Sequence, residues 1–288
     1  MKNAIEVRHL SKQYPGFALQ DVSFAVPCGS IMGFVGENGA GKTTTIKAIL
    51  GLIRPDSGES DLLGRPMTDG EREIKSQIGV VFDETYFHDN LTLRGIDKML
   101  GRIYKKQWDS GAFTSLCGRF DLPQGKEVKA FSRGMKMKLS IAAALAHHPR
   151  LLILDEATSG LDPIVRDEIL DVFYDFIQDE DHSILFSSHI TSDLEKVADY
   201  VTFIHKGKIV FSKNKDDLVY SYGVARCTAQ QFERIGADEY LRRRRSAMGG
   251  EELLVADREE FSRRHSSVVL DSAGIDDIML FYVKGERD

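Results

Sequence analysis

The sequence predicts an α/β fold: a mixed, mainly parallel sheet with antiparallel N-terminal strands, a helical subdomain insert and a small C-terminal α+β extension. Three observations predict it. A glycine-rich loop, Gly36 to Thr44 (GENGAGKTT), lies between a short apolar run, Ile31 to Val35, and a helical pattern, Thr45 to Leu52. Two further short apolar runs, Leu151 to Leu154 and Ser183 to Phe186, lack alternation, as strands buried on both faces do. From Leu91 to Ala146 the apolar spacing changes to three and four, which is helical.

Each element follows in order. Ile5 to Leu10 and Leu19 to Val26 alternate and read as two antiparallel strands. The intervening SKQYPGF reads as a turn that exposes Tyr14 and Phe17 beside Pro15-Gly16. After the glycine loop and its helix comes a turn, RPDSGE, then strands at Ser60 to Leu63 and Ile78 to Phe82. The second of these ends in two carboxylates, Asp83 and Glu84. Leu93 to Tyr104, Asp109 to Leu122 and Ser132 to His147 read as helices. His147 and His148 read as helix-end residues before Pro149, where a cation is favoured. Ser159 to Pro163 makes a tight turn, with Pro163 at the first position of a helix that runs from Ile164 to Ile177. A helix is expected from Thr191 to Asp199, then a hairpin of Val201 to His205 and Lys208 to Ser212 about Lys206-Gly207. The tail, residues 215–288, is more charged. It reads as three strands, Val224 to Thr228, Glu252 to Ala256 and Ser267 to Leu270. A last amphipathic helix carries Ile275, Ile278, Met279 and Tyr282. That helix is expected to hide its apolar face against its own strands or a second copy. Arg242 to Arg245 reads as a solvated turn or helix face, with a lipid-headgroup or nucleic-acid patch as the alternative. The expected division is a main domain, 1–214, with a helical subdomain at about 91–147, and the extension 215–288.

The loop fits G-x-x-x-x-G-K-[ST], a phosphate-binding pattern. A nucleotide's β- and γ-phosphates need many donors at short range. Gly36, Gly39 and Gly41 let the backbone approach, and their amides point at the positive end of the following helix. Lys42 adds a point charge. The Thr43 hydroxyl is placed to hold Mg²⁺, and Thr44 to add a phosphate contact. Asp155 and Glu156 follow the strand Leu151 to Leu154. A carboxylate there reaches a metal at the glycine loop, and the next one acts on the attacking water. His189 ends the Ser183 strand; it either faces the γ-phosphate or is structural. Ser132-x-Gly134 either caps its helix or also offers N-terminal amides to a ligand. Tyr14 is either an adenine-stacking face or an ordinary turn aromatic.

Composition narrows the classes. The 288 residues, 42% hydrophobic, suffice for one large domain and an appendage. A net charge of −6 argues against a general nucleic-acid binder. Cys28, Cys117 and Cys227 form no metal pattern and no even disulfide set, which suits a reducing compartment. The N-terminal MKNAIEVRHL has no apolar signal segment, and no run approaches the roughly 18 apolar residues of a membrane span.

From about Ile5 to Leu218, these pieces together resemble the ATP-binding subunit of an ABC transporter. The resemblance implies that the loop Gly36 to Thr44, Asn38 included, binds ATP and Mg²⁺. It implies that Tyr14 stacks on adenine, that Asp155 stands on the Mg²⁺ side and that Glu156 polarises water. His189 then contacts the γ-phosphate, and Ser159 to Asp162 crosses a dimer interface. Ser132 and Gly134 of a second ATP-binding subunit, the same chain or a related one, would complete the site. Two positions depart from the family pattern. Arg133 replaces a glycine in the signature, which here reads FSRGM, and Asp83 stands where the family usually carries glutamine. A carboxylate can still bind Mg²⁺ but donates no hydrogen bond. FSRGM and the ending IMLFYVKG are similar to bacterial antibiotic- or peptide-type exporter ATPases. The implied partner is a separate membrane permease that holds the chain at the cytoplasmic face of the membrane, with no nucleic acid expected. One alternative is a soluble ABC ATPase acting on the ribosome or nucleic acid, for which Arg242 to Arg245 speaks. Another is a non-catalytic switch, against which Glu156 and His189 speak.

Overall fold

The computed structural model describes residues 2–67, 72–84, 86–246 and 249–287. The first half of the chain runs β1 (Asn3–Tyr14), β2 (Phe17–Pro27), β3 (Ile31–Val35), α1 (Lys42–Ile49), β4 (Ser57–Leu62), β5 (Arg65–Pro66), α2 (Arg72–Lys75), β6 (Ile78–Val81), α3 (Leu93–Tyr104), α4 (Ser110–Arg119) and α5 (Arg133–Leu145). Then come β7 (Leu151–Asp155), α6 (Pro163–Phe176), β8 (Ser183–Ser188), α7 (Thr191–Val197), β9 (Tyr200–His205) and β10 (Lys208–Asn214). The tail holds α8 (Lys215–Ser221), β11 (Gly223–Cys227), α9 (Ala229–Phe232), β12 (Arg242–Arg245), β13 (Glu251–Val255), α10 (Arg258–Arg264), β14 (Val269–Ser272) and α11 (Ile275–Lys284).

Three sheets organise the molecule. The central one has the order β10-β9-β3-β8-β7-β6. Its strands are parallel except β10, which returns antiparallel to β9. Every residue of β3, β7 and β8 is buried, which is why those segments read as continuous apolar runs. The N-terminal sheet, β2-β1-β4-β5, is antiparallel and encloses a core with α1 and one face of the central sheet. The opposite face packs on the helices inserted between β6 and β7 and on α6. The tail sheet, β12-β13-β11-β14, is antiparallel and has a small core of its own.

Caps set the helix starts. The Gly95 amide donates to the Thr92 hydroxyl before α3, the Ala112 amide to Asp109 before α4, and the Val165 amide to Asp162 before α6. Pro163 occupies the first turn of α6 as expected.

Several expectations change. The strand β1 continues to Tyr14, so only Pro15-Gly16 forms the turn, and Phe17 is half-buried. The loop helix starts at Lys42, not Thr45. His147 is buried, stacked 4.3 Å from the Tyr104 ring, with Nε2 3.2 Å from the Ile78 carbonyl. Burial pulls its pKa down, so it is held as neutral packing rather than as a helix-end cation.

Among the described residues the tail has four strands, because Arg242 to Arg245 is β12 and not a turn or helix face. Three of its four guanidinium groups stack on rings, and Arg245 is exposed. Arg242 lies over the Tyr282 ring, Arg243 over Phe232 and Arg244 over Phe281. Arg244 Nε also donates to Glu252 at 2.6 Å. Strand pairing with the acidic β13 explains this arrangement. The last helix buries Ile275, Ile278 and Phe281, and its neighbours include α7 and β10 as well as its own β12. Glu195 of α7 accepts the Ile275 amide at 3.0 Å, and the Phe211 and Tyr282 rings stand 5.6 Å apart.

Candidate functional site

The expected residues converge at the C-terminal ends of β3, β7 and β8. Parallel pairing sets this convergence: Val35 is level with Ser188, and Asp155 with Ser187. The residues that follow, Gly36, Glu156 and His189, therefore leave the sheet at one edge. This is where open parallel sheets bind ligands.

The loop from Gly36 wraps back under its own helix. A side chain at Gly36 would come within 2.4 Å of the Ile204 carbonyl. Gly41 has φ +115°, and a side chain there would strike Leu19 and Phe17 of β2. Gly39 has φ +81° and nothing within 4 Å of a would-be side chain, so the loop is open on that side. The sequence places glycine where the backbone is tight, and also where a ligand must approach it.

Lys42 is 5% exposed. Its Nζ donates to the Gly36 carbonyl at 2.7 Å and the Glu37 carbonyl at 3.3 Å. It also stands 3.0 Å from Glu156 Oε1, a close charge contact without hydrogen-bond geometry. The other oxygen, Glu156 Oε2, lies 2.6 Å from His189 Nδ1. Glu156 thus sits between a lysine and an imidazole, 14% exposed. Its backbone is left-handed, with φ +55°, a conformation costly for a residue with a side chain. Its amide donates to both the Ser187 carbonyl and the Ser187 hydroxyl, each at 3.1 Å, which holds it there.

Asp155 is buried, and Ser187 Oγ donates to it at 2.6 Å. Burial pushes its pKa up. Hydrogen bonds from Ser187 and Thr43 pull it back, while the charges of Glu156 and Asp83 raise it further. Thr43 is thus a hydrogen-bond partner of Asp155, and the Asp83 charge is felt there. Two carboxylates and a hydroxyl, all hard oxygen donors with surplus negative charge, fit a small divalent cation. Among the described residues no three acidic, histidine or cysteine side chains form a closed metal cage.

Other expected residues stand apart. Ser132 caps α5, where its hydroxyl accepts the Met135 amide at 3.2 Å, and its side is exposed. Gly134 lies against Val165 of α6. No described hydrogen bond or ion pair joins Ser132 or Gly134 to the Lys42–Glu156 cluster. Tyr14 sits at the β1–β2 turn, 36% exposed, with the Lys12 ammonium 5.7 Å above its ring. Asn38 and Thr44 belong to the loop and its helix.

Two contributors were not legible in the sequence. Ser187 looks like one more polar strand-end residue, yet it ties Asp155 and Glu156 together. Arg133 packs its guanidinium against Gly160, where a side chain would meet it at 3.1 Å, so the α5 cap touches the Ser159–Asp162 loop of the same chain. Arg133 also lines a groove of about 430 Å³ with Asp83, Glu84, Phe131, Lys136 and Met137.

Known proteins resemble this chain. A family model described as ABC transporter matches residues 19–159. The bacitracin transport ATP-binding protein BcrA of Bacillus licheniformis is 38% identical over 214 residues, covering 73% of this chain and 69% of that one. The lantibiotic transport ATP-binding protein SrtF of Streptococcus pyogenes is 34% identical over 219 residues, covering 74% of this chain and 91% of that one. A solved structure titled as the ATP-binding subunit of an ABC transporter superposes with TM-score 0.67 at 29% identity, covering 75% of this chain and 91% of its own. With the loop, the strand-end carboxylates and the histidine assembled on one sheet edge, the chain belongs to the ABC transporter family as one of its ATP-binding, ATP-hydrolysing subunits.

Proposed function

We propose that this subunit powers a separate permease that exports a small molecule, antibiotic or peptide. One observation supports the catalytic part best: Lys42, Glu156 and His189 meet within hydrogen-bond distance beside Asp155. In this reading the amides of Gly36 to Thr44 and Lys42 hold the β- and γ-phosphates. Glu156 accepts the proton of the attacking water, and His189 steers the Glu156 carboxylate and meets the γ-phosphate. Thr43, Asp83 and Asp155 would hold Mg²⁺, which supplies charge neutralisation at the phosphates. Tyr14, exposed at the β1–β2 turn, would meet the adenine.

The site is completed in trans. Ser132 and Gly134 sit at an exposed helix N-terminus away from the cluster, so they would serve the ATP of a second ATP-binding subunit. ATP binding closes the pair and hydrolysis opens it. The groove beside Asp83 and Glu84 would pass that motion to the permease. No described helix is long and apolar enough to cross a membrane, so the permease would hold the chain at the cytoplasmic face. Residues 1–214 would form the ATP-binding domain, with the helical subdomain at about 91–147, and 215–288 the extension.

The bacitracin and lantibiotic transport names of the relatives support the substrate class. The ribosome or nucleic-acid reading loses much of its support, because the Arg242, Arg243 and Arg244 guanidinium groups lie on aromatic rings and Arg244 also pairs with Glu252. Pull-down of the chain from membranes in mild detergent tests the proposal. An integral membrane protein retained with the chain is the expected outcome; RNA or ribosomal protein instead would refute it.

A further inference from the structure

The tail carries a pocket that the ATPase site does not use. Ala237, Asp238, Tyr240, Leu241, Arg242, Tyr282 and Arg287 line a cavity of about 410 Å³. This lies within the roughly 300–1,000 Å³ of small-molecule sites. The walls come from the segment before β12, from Arg242 of β12 and from the end of α11.

Its charge is unbalanced. Arg242 lies with its guanidinium 5.2 Å from the Tyr282 ring centre, and its Nε is buried with no hydrogen-bond partner. A buried guanidinium donor without an acceptor is costly. Arg287 is exposed at the same pocket, and no described ion pair engages it. Lys213 stands nearby, with its Nζ 3.0 Å from the Tyr222 hydroxyl. Burial and the charge of Tyr222 push the Tyr282 hydroxyl up, while the charges of Lys213, Arg242 and Arg287 pull it down. Among the described lining residues Asp238 is the one carboxylate, and it is exposed. Tyr240 and Leu241 add apolar wall.

We propose that this pocket binds a small organic anion, with its carboxylate or phosphate against Arg242 and Arg287 and its apolar body along Tyr240, Leu241 and Tyr282. A guanidinium matches such an anion because its donors form a planar fork. The aromatic wall favours a flat, partly apolar body over a bare inorganic ion. The occupant would lie on α11, whose first turn is held by Glu195 of α7. Since α7 begins two residues after His189, the ligand would sit on an element continuous with the ATPase site.

Dansylglycine, a fluorescent ring system with one carboxylate, is the probe, titrated into the full chain. Its neutral carboxamide is the control. Saturable binding at one site is expected, at least tenfold tighter than the carboxamide. Arg242→Gln should weaken it at least tenfold. Ala237→Trp, at an exposed wall position, should block it while leaving Arg242 on its ring. Both variants should bind ATP like the parent, which confirms that they fold and keeps this outcome separate from the transport reading. Absent saturable binding, equal binding of carboxylate and carboxamide, or undiminished binding in the Ala237→Trp protein would each overturn the proposal.

Discussion

Replacing Glu156 by glutamine keeps the side-chain shape and removes one charge and one base. In the structure that carboxylate is 14% exposed and stands 3.0 Å from Lys42 Nζ and 2.6 Å from His189 Nδ1. At an effective dielectric of ~20, a unit pair at the Lys42 distance attracts by about 5 kcal/mol before desolvation is counted. A γ-phosphate must compete with the carboxylate for Lys42. The amide competes far less, so ATP affinity should stay the same or tighten. Catalysis should fall, because an amide is a poor proton acceptor. General-base assistance is worth roughly 10²–10⁴-fold, or about 2.7–5.4 kcal/mol on the barrier. Bound ATP then persists, and the closed pair should accumulate. Phosphate release gives the rate, and light scattering with and without Mg-ATP gives the mass. A turnover loss in that range, with an ATP-dependent shift from monomer to dimer that disappears when Ser132 is also changed to Arg, is expected. Hydrolysis at the parent rate would refute the role of Glu156. Lost hydrolysis with a persistent monomer would refute closure against a second copy of this chain.

Lys42→Ala should nearly abolish ATP binding or turnover, since it removes the buried charge aimed at the phosphates; near-normal ATPase activity would sink that assignment. Asp83→Ala combined with Glu84→Ala should depress transport in vesicles more than it weakens ATP binding, and intact transport would remove the groove from the coupling path. Phe281→Ala, at a fully buried ring with the Arg244 guanidinium 4.5 Å from its centre, should cost about 3–5 kcal/mol, read from denaturant unfolding. A loss below one kcal/mol, as at a surface site, would contradict the packing of α11. Burial pushes the Cys117 thiol up to about 12 and the Cys227 thiol up to about 11, whereas Cys28 is exposed. Thiolate is the reactive form, so at pH 8 a disulfide reagent should titrate Cys28 quickly and the other two only after unfolding. Rapid reaction of all three in the native protein would contradict their burial.

Much of this protein was legible in its sequence because the signals were local. Gly36 to Lys42 must be glycine-rich to approach a phosphate, and that need is written in consecutive residues. The strands β3, β7 and β8 are buried on both faces, so they carry unbroken apolar runs. Caps such as Asp162 with Pro163 mark a helix start within one turn. The class of the nucleotide site and the carboxylates Asp155 and Glu156 followed from such local patterns.

Tertiary structure decided what depends on residues far apart in the chain. Pairing of β7 with β8 places Ser187 beside Asp155, which holds Glu156 in a left-handed backbone and brings it to His189. No spacing rule encodes that register. The four arginines of β12 looked like a solvated basic run because charge alone was visible. The aromatic partners of Arg242, Arg243 and Arg244 are Tyr282, Phe232 and Phe281, which lie ten or more positions away, as does the β10–α7 surface that takes α11. His147 likewise read as a helix-end cation until its burial against Tyr104 was known. Sequence carries propensity and short-range geometry; burial and the meeting of distant side chains arise only when the chain closes on itself.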